Sequence, residues 1–376
     1  MSALQALRGV LREFAQQAEV LPAVGGAQEE LERPDAEERE DQRLNYQERV
    51  FESIFESDEA GRFPTLYRPT PPIGRREMHL YRYFLDGSFR SYFLGTVLEH
   101  ERESPVHFAQ VGACALRREP DGSVRREQLQ IRNILLVGKE RLSEDLWASL
   151  ESLTTGAGIH LLNIAEREID ERVASDMDLR SRAAGKVRYE TRKLEAEIIA
   201  QLLPMLNEDT WLIADGSLMF QPILNLLTQE GQTYPVIGVS KNFRKDPQFV
   251  YRRGPRAQRF SIYRLLTGLQ AAHRTAVFSA REGKVVFWYV RLREQRHLDY
   301  PMMGVVKVEL ANPTQEPVPS SLIDRLSSAL VAERQVTPHG RDRRWHAHLY
   351  PIHLAERAVR EALLSREAVQ QFLKWR

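Results

Sequence analysis

Trp211-Leu-Ile-Ala-Asp215-Gly-Ser-Leu-Met-Phe220 is a short apolar run that stops at a carboxylate. It has an earlier counterpart in Tyr81-Arg-Tyr-Phe-Leu85, which runs into Asp86-Gly87-Ser88. As two buried strands, each ending in Asp-Gly-Ser, they would set two acids side by side at one end of a sheet. Adjacent acids without an evident basic partner are a reason to expect a divalent cation, because hard cations take oxygen ligands. A third Asp-Gly-Ser, at Asp121, serves as an internal control. It follows Arg-Arg-Glu-Pro, separates two strand-like runs, and reads as a hairpin turn. The tripeptide alone therefore carries little, and the apolar run in front of it gives Asp86 and Asp215 their weight. The competing reading is that these two also begin ordinary tight turns.

Outward from these runs, Leu80–Leu85, Phe89–Leu98, Val106–Arg117 and Gln128–Val137 read as four strands of a meander. Residues 164–203 have helical character, with Leu194, Ile198 and Leu202 as an apolar stripe closed by Pro204. Strands follow at Trp211–Ala214 and Pro235–Ser240, then at Val285–Arg291 and Gly304–Leu310 as edge or paired strands. Helices are expected at Ser320–Glu333 and from about Ile352 to Leu364. This order gives an α/β chain whose mixed sheet carries packed helices. Upstream, Leu4, Leu7, Val10, Leu11 and Phe14 mark an amphipathic helix, either packed on the body or docked on a partner. Residues 28–62 are strongly charged and read as a solvated helical segment or linker, and Pro64–Pro72 as a loop. The expected division is a helical, charged extension over 1–75 and the main domain over 76–376.

Composition narrows the class. Of 376 residues, 42% are apolar and 28% charged, as in globular proteins. Lys+Arg 53 against Asp+Glu 52 leaves +1, so the net charge neither points to nucleic acid nor excludes it. The single cysteine, Cys114, rules out an internal disulfide framework and a cysteine zinc cluster, which suits a reducing cytoplasm. No apolar run reaches the roughly 20 residues of a membrane span, and no signal-peptide segment is expected. Walker A and Gly-x-Ser-x-Gly sequences are both absent.

The chemistry then rests on acids in order: strand Asp86, a helix glutamate, strand Asp215. Glu195 flanks the apolar stripe and is the favoured helix member, with Glu197 as runner-up. Such a set suits Mg²⁺ or Mn²⁺, and two ions can assist both the attacking and the leaving oxygen of a phosphodiester. Glycine after each Asp leaves room for a phosphate backbone. Lys241, at the end of a strand, would contact a phosphate or be merely solvated. Arg244, Lys245, Arg252 and Arg253, with Phe243, Phe249, Tyr251, Phe260 and Tyr263 interleaved, would follow a DNA backbone and stack on bases, or form a surface loop. His346 and His348, two apart with no third ligand in their segment, read as a packed or surface pair rather than a zinc site.

Phe84-Leu85-Asp86-Gly87-Ser88, the helix around Lys193-Leu194-Glu195, Leu212-Ile213-Ala214-Asp215-Gly216-Ser217-Leu218 and the late Leu349-Tyr350-Pro351 before a helix resemble, in order, the motifs of the NurA nuclease family. The resemblance covers most of residues 78–365. It implies an RNase H-like core and a Mn²⁺-dependent DNA nuclease. It also implies a homodimer that works with HerA, a hexameric DNA-translocating ATPase, in DNA end resection or anti-phage defence. Carried over, Asp86, Glu195 and Asp215 are metal and catalytic residues, and Tyr350 lies by the site. The chain departs from the family at its last motif. A His or Asp is usual two turns into the final helix, where this chain has Arg357-Ala358. His353 or Glu356 would have to substitute, or the site is one ligand short. In that case the chain would be a DNA-binding scaffold for a translocase.

Overall fold

Apolar alternation in the meander is long enough to build unusually long strands. In a computed structural model, which describes residues 3–23, 50–53, 56–57, 65–74, 79–164, 179–229, 231–253, 256–294, 300–337 and 345–372, Tyr81–Glu99 (β1) is one continuous strand. Arg102–Arg118 (β2) and Val124–Val137 (β3) complete the meander. The helix Leu179–Leu202 (α1) leads into Trp211–Asp215 (β4), and the helix Gln221–Thr228 (α2) into Val236–Ser240 (β5). Val285–Arg291 (β6), Val305–Ala311 (β7) and the helices Ser320–Ala332 (α3) and Tyr350–Ala362 (α4) follow. Among the described residues the main sheet has twelve strands. Its path runs from Tyr67–Pro69 through His273–Thr275, β6, β7, β5, β4, β1, β2 and β3 to His160–Asn163. β4 is parallel to both β1 and β5, whereas β1–β2–β3 and β5–β7–β6 are antiparallel.

Period-two alternation decides which helices cover which face. Phe84, Cys114, Ile213, Val239, Trp288 and Val308 pack with Ile323, Leu326, Ile352, Ala355 and Val359 of α3 and α4. Tyr83, Leu85, Ala113, Leu212, Ala214 and Val236 pack on the other face with Leu194, Ile198 and Leu202 of α1 and Ile223 and Leu227 of α2. The expected stripe on α1 is thus its sheet-facing side. Cys114 is a buried, unoxidised thiol whose pKa burial pushes up to about 11.

The structure departs from the sequence reading in several places. The two strands expected at Leu80–Leu85 and Phe89–Leu98 are one, and Asp86-Gly87-Ser88 lies inside it, in register with Cys114, Ala113 and Gly112. A neighbouring strand that pairs without interruption removes any reason to turn there. Asp121-Gly-Ser does turn: Asp121 Oδ1 accepts from Ser123 N at 2.9 Å, and Gly122 has φ +85°. Of the two alternatives for β6 and β7, edge or paired, the paired one holds: both are wholly buried interior strands.

The N-terminal helix Ala3–Phe14 packs Leu7, Val10, Leu11 and Phe14 against Tyr92, Phe108 and Leu135. The charged segment read as helical contains the strands Val50–Glu52 and Glu56–Ser57 where it is described, with residues 24–49 outside the description. The proline-rich stretch read as a loop holds the strand Tyr67–Pro69, which pairs with His273–Thr275.

One charged residue of that segment explains why it folds back. The Glu56 carboxylate is fully buried beside Arg274. It accepts from Arg274 Nη1 at 3.2 Å, Ser320 Oγ at 2.8 Å and Val277 N at 3.3 Å. Arg274 also donates through Nε to Asp324, 2.6 Å away. Removing one member of such a pair strands the other charge in the core. Glu56→Ala should cost about 3–5 kcal/mol of stability, read by denaturant unfolding. A change below about 0.5 kcal/mol would contradict this account.

Candidate carboxylate centre

Asp86 shares a sheet face with Phe84 by alternation, which turns it toward α4. It is almost fully buried, and its Oδ2 has no hydrogen-bond partner among the described residues. Its pKa lies well above the ordinary carboxylate range. Burial is the first cause, followed by the charge of Asp215; Lys241 opposes, and Glu356 and Glu195 raise it further. The groups named there come from four elements around β1: β4, the residue after β5, α4 and α1.

Asp215 arrives by register. Leu85 pairs with Ala214 across the parallel β1–β4 ladder, so the next residue on each strand is an acid. Here the chain does turn, with Gly216 at φ +92° and its N–H donating to Val239 O at 2.9 Å. Glu195 comes from the opposite side of the sheet and reaches the centre beside Gly87. A Cβ on Gly87 would overlap Glu195 Oε1, lie 3.2 Å from Glu195 Cδ and 2.9 Å from the Thr191 methyl. The glycine after Asp86 therefore makes room for the helix carboxylate rather than for a turn.

Three cations surround this group. Lys241 Nζ donates to Asp215 Oδ2 at 2.7 Å and is nearly buried, so it is neither merely solvated nor presented to solvent. Arg192 pairs with Glu195 one turn away on α1, and its Nη1 donates to Asp215 O at 3.1 Å. Its Nη2 donates to Ser217 O. Arg192 thereby ties helix to turn. Beneath the turn, Ser217 Oγ and Leu218 N donate to Glu309 Oε2 at 2.7 and 2.8 Å. Lys307 Nζ, the third cation, holds Glu309 Oε1 at 2.6 Å. Arg192, Lys307 and Glu309 were missed from sequence. The available signals were an i,i+3 pair on α1 and two charges on alternate positions of the apolar strand β7.

The remaining expected residues divide. Glu197 lies about 200° round the helix from Glu195 and pairs with Arg132 of β3, away from Asp86. Glu356 belongs to the centre through its charge on Asp86, and its Oε1 accepts from Arg360 at 2.9 Å. Arg357, at the family's usual ligand position, pairs instead with Glu361 at the surface. Tyr350 lies under the Arg334 guanidinium, 4.0 Å from its ring centre. His346 accepts from Gly304 N at 2.9 Å, whereas His348 faces His353, their rings 5.4 Å apart. His346 lies within the 3-10 turn Trp345–Ala347 and His348 just after it, so the two engage different partners.

In the basic stretch, Arg244 pairs with Asp246, and Lys245 is exposed. Arg252 and Arg253 lie in the strand Gln248–Arg253, and their side chains fall outside the description. Phe243 and Phe249 do not offer rings to bases: they are core, packed with Phe278, Phe287 and Tyr289. Tyr263 is exposed.

No family model matches the chain, and no curated protein matches it. No helix among the described residues is long and apolar enough to cross a membrane.

Asp86, Glu195 and Asp215 supply carboxylate oxygens, the type a hard divalent ion takes, and one of Asp86's is buried and unsatisfied among the described residues. The three-donor group whose atoms lie within 4.8 Å of one another among those residues is instead His348, His353 and Glu356. A carboxyl whose pKa is raised on folding favours the protonated native state. Its contribution is present below about pH 4 and is lost as pH rises toward the folded-state value. Asp86→Asn should therefore melt above the wild-type chain at pH 8 in chelator, by at least about 2 °C, with the gap closing near pH 4. Added Mn²⁺ should raise the melting temperature of the wild type more than that of the variant. An Asp86→Asn chain that melts at or below the wild type at pH 8 in chelator would contradict the assignment.

Proposed function

We propose that this chain is a divalent-metal-dependent deoxyribonuclease that hydrolyses phosphodiester bonds, with an RNase H-like core and NurA-like organisation. One observation carries the reading. Asp86 of β1 has a buried carboxylate oxygen with no hydrogen-bond partner among the described residues, and the charges of Asp215, on the adjacent parallel strand, and of Glu195, on the intervening helix, bear on it. The strand order supports the fold assignment, since β3-β2-β1-β4-β5 is an antiparallel meander followed by two parallel strands, each preceded by a helix. The Leu349-Tyr350-Pro351 entry into α4 brings Glu356 to the same centre.

Asp86, Glu195 and Asp215 would hold Mn²⁺ or Mg²⁺. Bound ions supply a water nucleophile at neutral pH and stabilise charge on the attacking and leaving oxygens. The protein's own residues do the rest. Arg192 and Glu309 fix the Asp215 turn, so that carboxylate does not need to reorganise. Lys241 sits where its ammonium can exchange Asp215 for a phosphate oxygen. Lys245 and the exposed Arg256 and Arg259 offer charge to a DNA backbone. The resemblance supplies the partners: a second copy of the chain, and a HerA-type translocase in DNA repair or antiviral defence. A cytoplasmic location belongs to the same reading.

One observation favours a second reading, a catalytically impaired DNA-binding scaffold. Two of the three acids already have cationic partners, Asp215 in Lys241 and Glu195 in Arg192. A cleavage assay with Mn²⁺, with and without the translocase, separates the two. The nuclease reading expects cleavage that falls at least about 100-fold in Asp215→Asn. It also expects at least a tenfold loss in Gly87→Ala, where the added methyl displaces Glu195 while the circular dichroism spectrum is retained. Absence of Mn²⁺-dependent cleavage under both conditions would leave the scaffold.

A further inference from the structure

Beside the carboxylate centre lies a second group of donors with different chemistry. The Nδ1 or Nε2 atoms of His348 and His353 and a Glu356 oxygen lie within 4.8 Å of one another. His348 Nε2 is 3.7 Å from Glu356 Oε2, beyond hydrogen-bond length. The two imidazole rings are nearly perpendicular, at 83°. Each donor is held by its own backbone. His348 follows the turn Trp345–Ala347, and its carbonyl accepts from Val336 N at 3.0 Å. His353 and Glu356 are three residues apart on α4, which puts them on one face. Arg360 engages Glu356 through Oε1 at 2.9 Å, and the other oxygen is the one nearest His348.

The geometry points to a transition-metal site made by His348, His353 and Glu356, distinct in its ligands from the Asp86–Glu195–Asp215 set. Two neutral imidazoles and one carboxylate carry a net charge of −1, which suits a dication. An ion about 2.1 Å from each donor holds donors about 3–4 Å apart, as His348 Nε2 and Glu356 Oε2 are at 3.7 Å. Imidazole nitrogen favours ions such as Co²⁺, Ni²⁺ or Zn²⁺ over Mg²⁺. Glu356 is the link between the two groups, because its charge also bears on Asp86. A cation on Glu356 would offset part of the repulsion that Asp86 feels. The inference rests on its own donor geometry: His348 lies outside the carboxylate set, and Glu356 is the residue the two groups share.

The test uses full-length chain with Asp86→Asn and Asp215→Asn, which removes the carboxylate centre as a competing site. Co²⁺ is titrated in and followed by its visible absorption, which responds to nitrogen ligands. The expected result is one Co²⁺ per chain, undisturbed by a 100-fold excess of Mg²⁺. His353→Gln should weaken binding at least tenfold with the circular dichroism spectrum unchanged. His348 is core, so His348→Asn is judged only if its spectrum matches; Glu356→Gln is the additional arm and should also weaken binding at least tenfold. Absence of Co²⁺ binding, or binding unchanged in both His353→Gln and Glu356→Gln, would overturn the proposal. Loss of cleavage in the otherwise native chain with intact Co²⁺ binding would count against the nuclease reading alone.

Discussion

Asp86 sits inside a long central strand, buried, with the negative charges of Asp215, Glu356 and Glu195 bearing on it. A buried carboxylate among like charges is unfavourable unless it is protonated, paired or bound to a cation. Much of the surrounding architecture is the means by which the fold tolerates this concentration of acids. Lys241 pairs with Asp215, Arg192 with Glu195, Arg360 with Glu356 and Lys307 with Glu309. Asp86 alone of these acids has a fully buried oxygen that finds no hydrogen-bond partner among the described residues.

That arrangement depends on the sheet. Parallel pairing of β4 with β1 fixes Asp86 and Asp215 on adjacent strands, and parallel pairing of β5 with β4 brings Lys241 to the same end. α1 lies on the opposite face, so Glu195 can join only where the intervening strand has no side chain, at Gly87. α4 closes the first face and carries His353 and Glu356. The buried Glu56–Arg274–Asp324 network ties an N-terminal segment and α3 to the far part of the sheet. It leaves the carboxylate centre at the junction of β1, β4 and the two covering helices.

How much of this could be read in the sequence depended on whether the signal was local. The order of strands and helices and the stripe Leu194–Ile198–Leu202 were legible because periodicity is a local property. So was the contrast between Asp121 and Asp215, since a preceding apolar run distinguishes them. Asp86 was placed at a strand end because Gly-Ser is also turn chemistry. Only pairing with β2, a non-local fact, shows that its glycine serves a close approach instead. The choice of Glu195 over Glu197 was open in sequence, and the partner Arg132, far along the chain, separates them in space. Phe243 and Phe249 read as stacking residues because neighbouring charges imply a surface, yet the strand Gln248–Arg253 turns Phe249 inward and Phe243, ahead of it, packs on Tyr289. The His348–His353–Glu356 group could not be seen from residue spacing, since the helix start at Tyr350 lies between His348 and the other two.

The central claim is that Asp86, Glu195 and Asp215 together hold a divalent ion. Crystals grown with Mn²⁺ and measured for anomalous scattering address it directly. The account predicts a Mn²⁺ peak at coordination distance from Asp86 and Asp215, with Glu195 turned toward it and Lys241 displaced from Asp215. Crystals saturated with Mn²⁺ that show no peak at Asp86, and that keep Lys241 on Asp215 and Arg192 on Glu195, would contradict it.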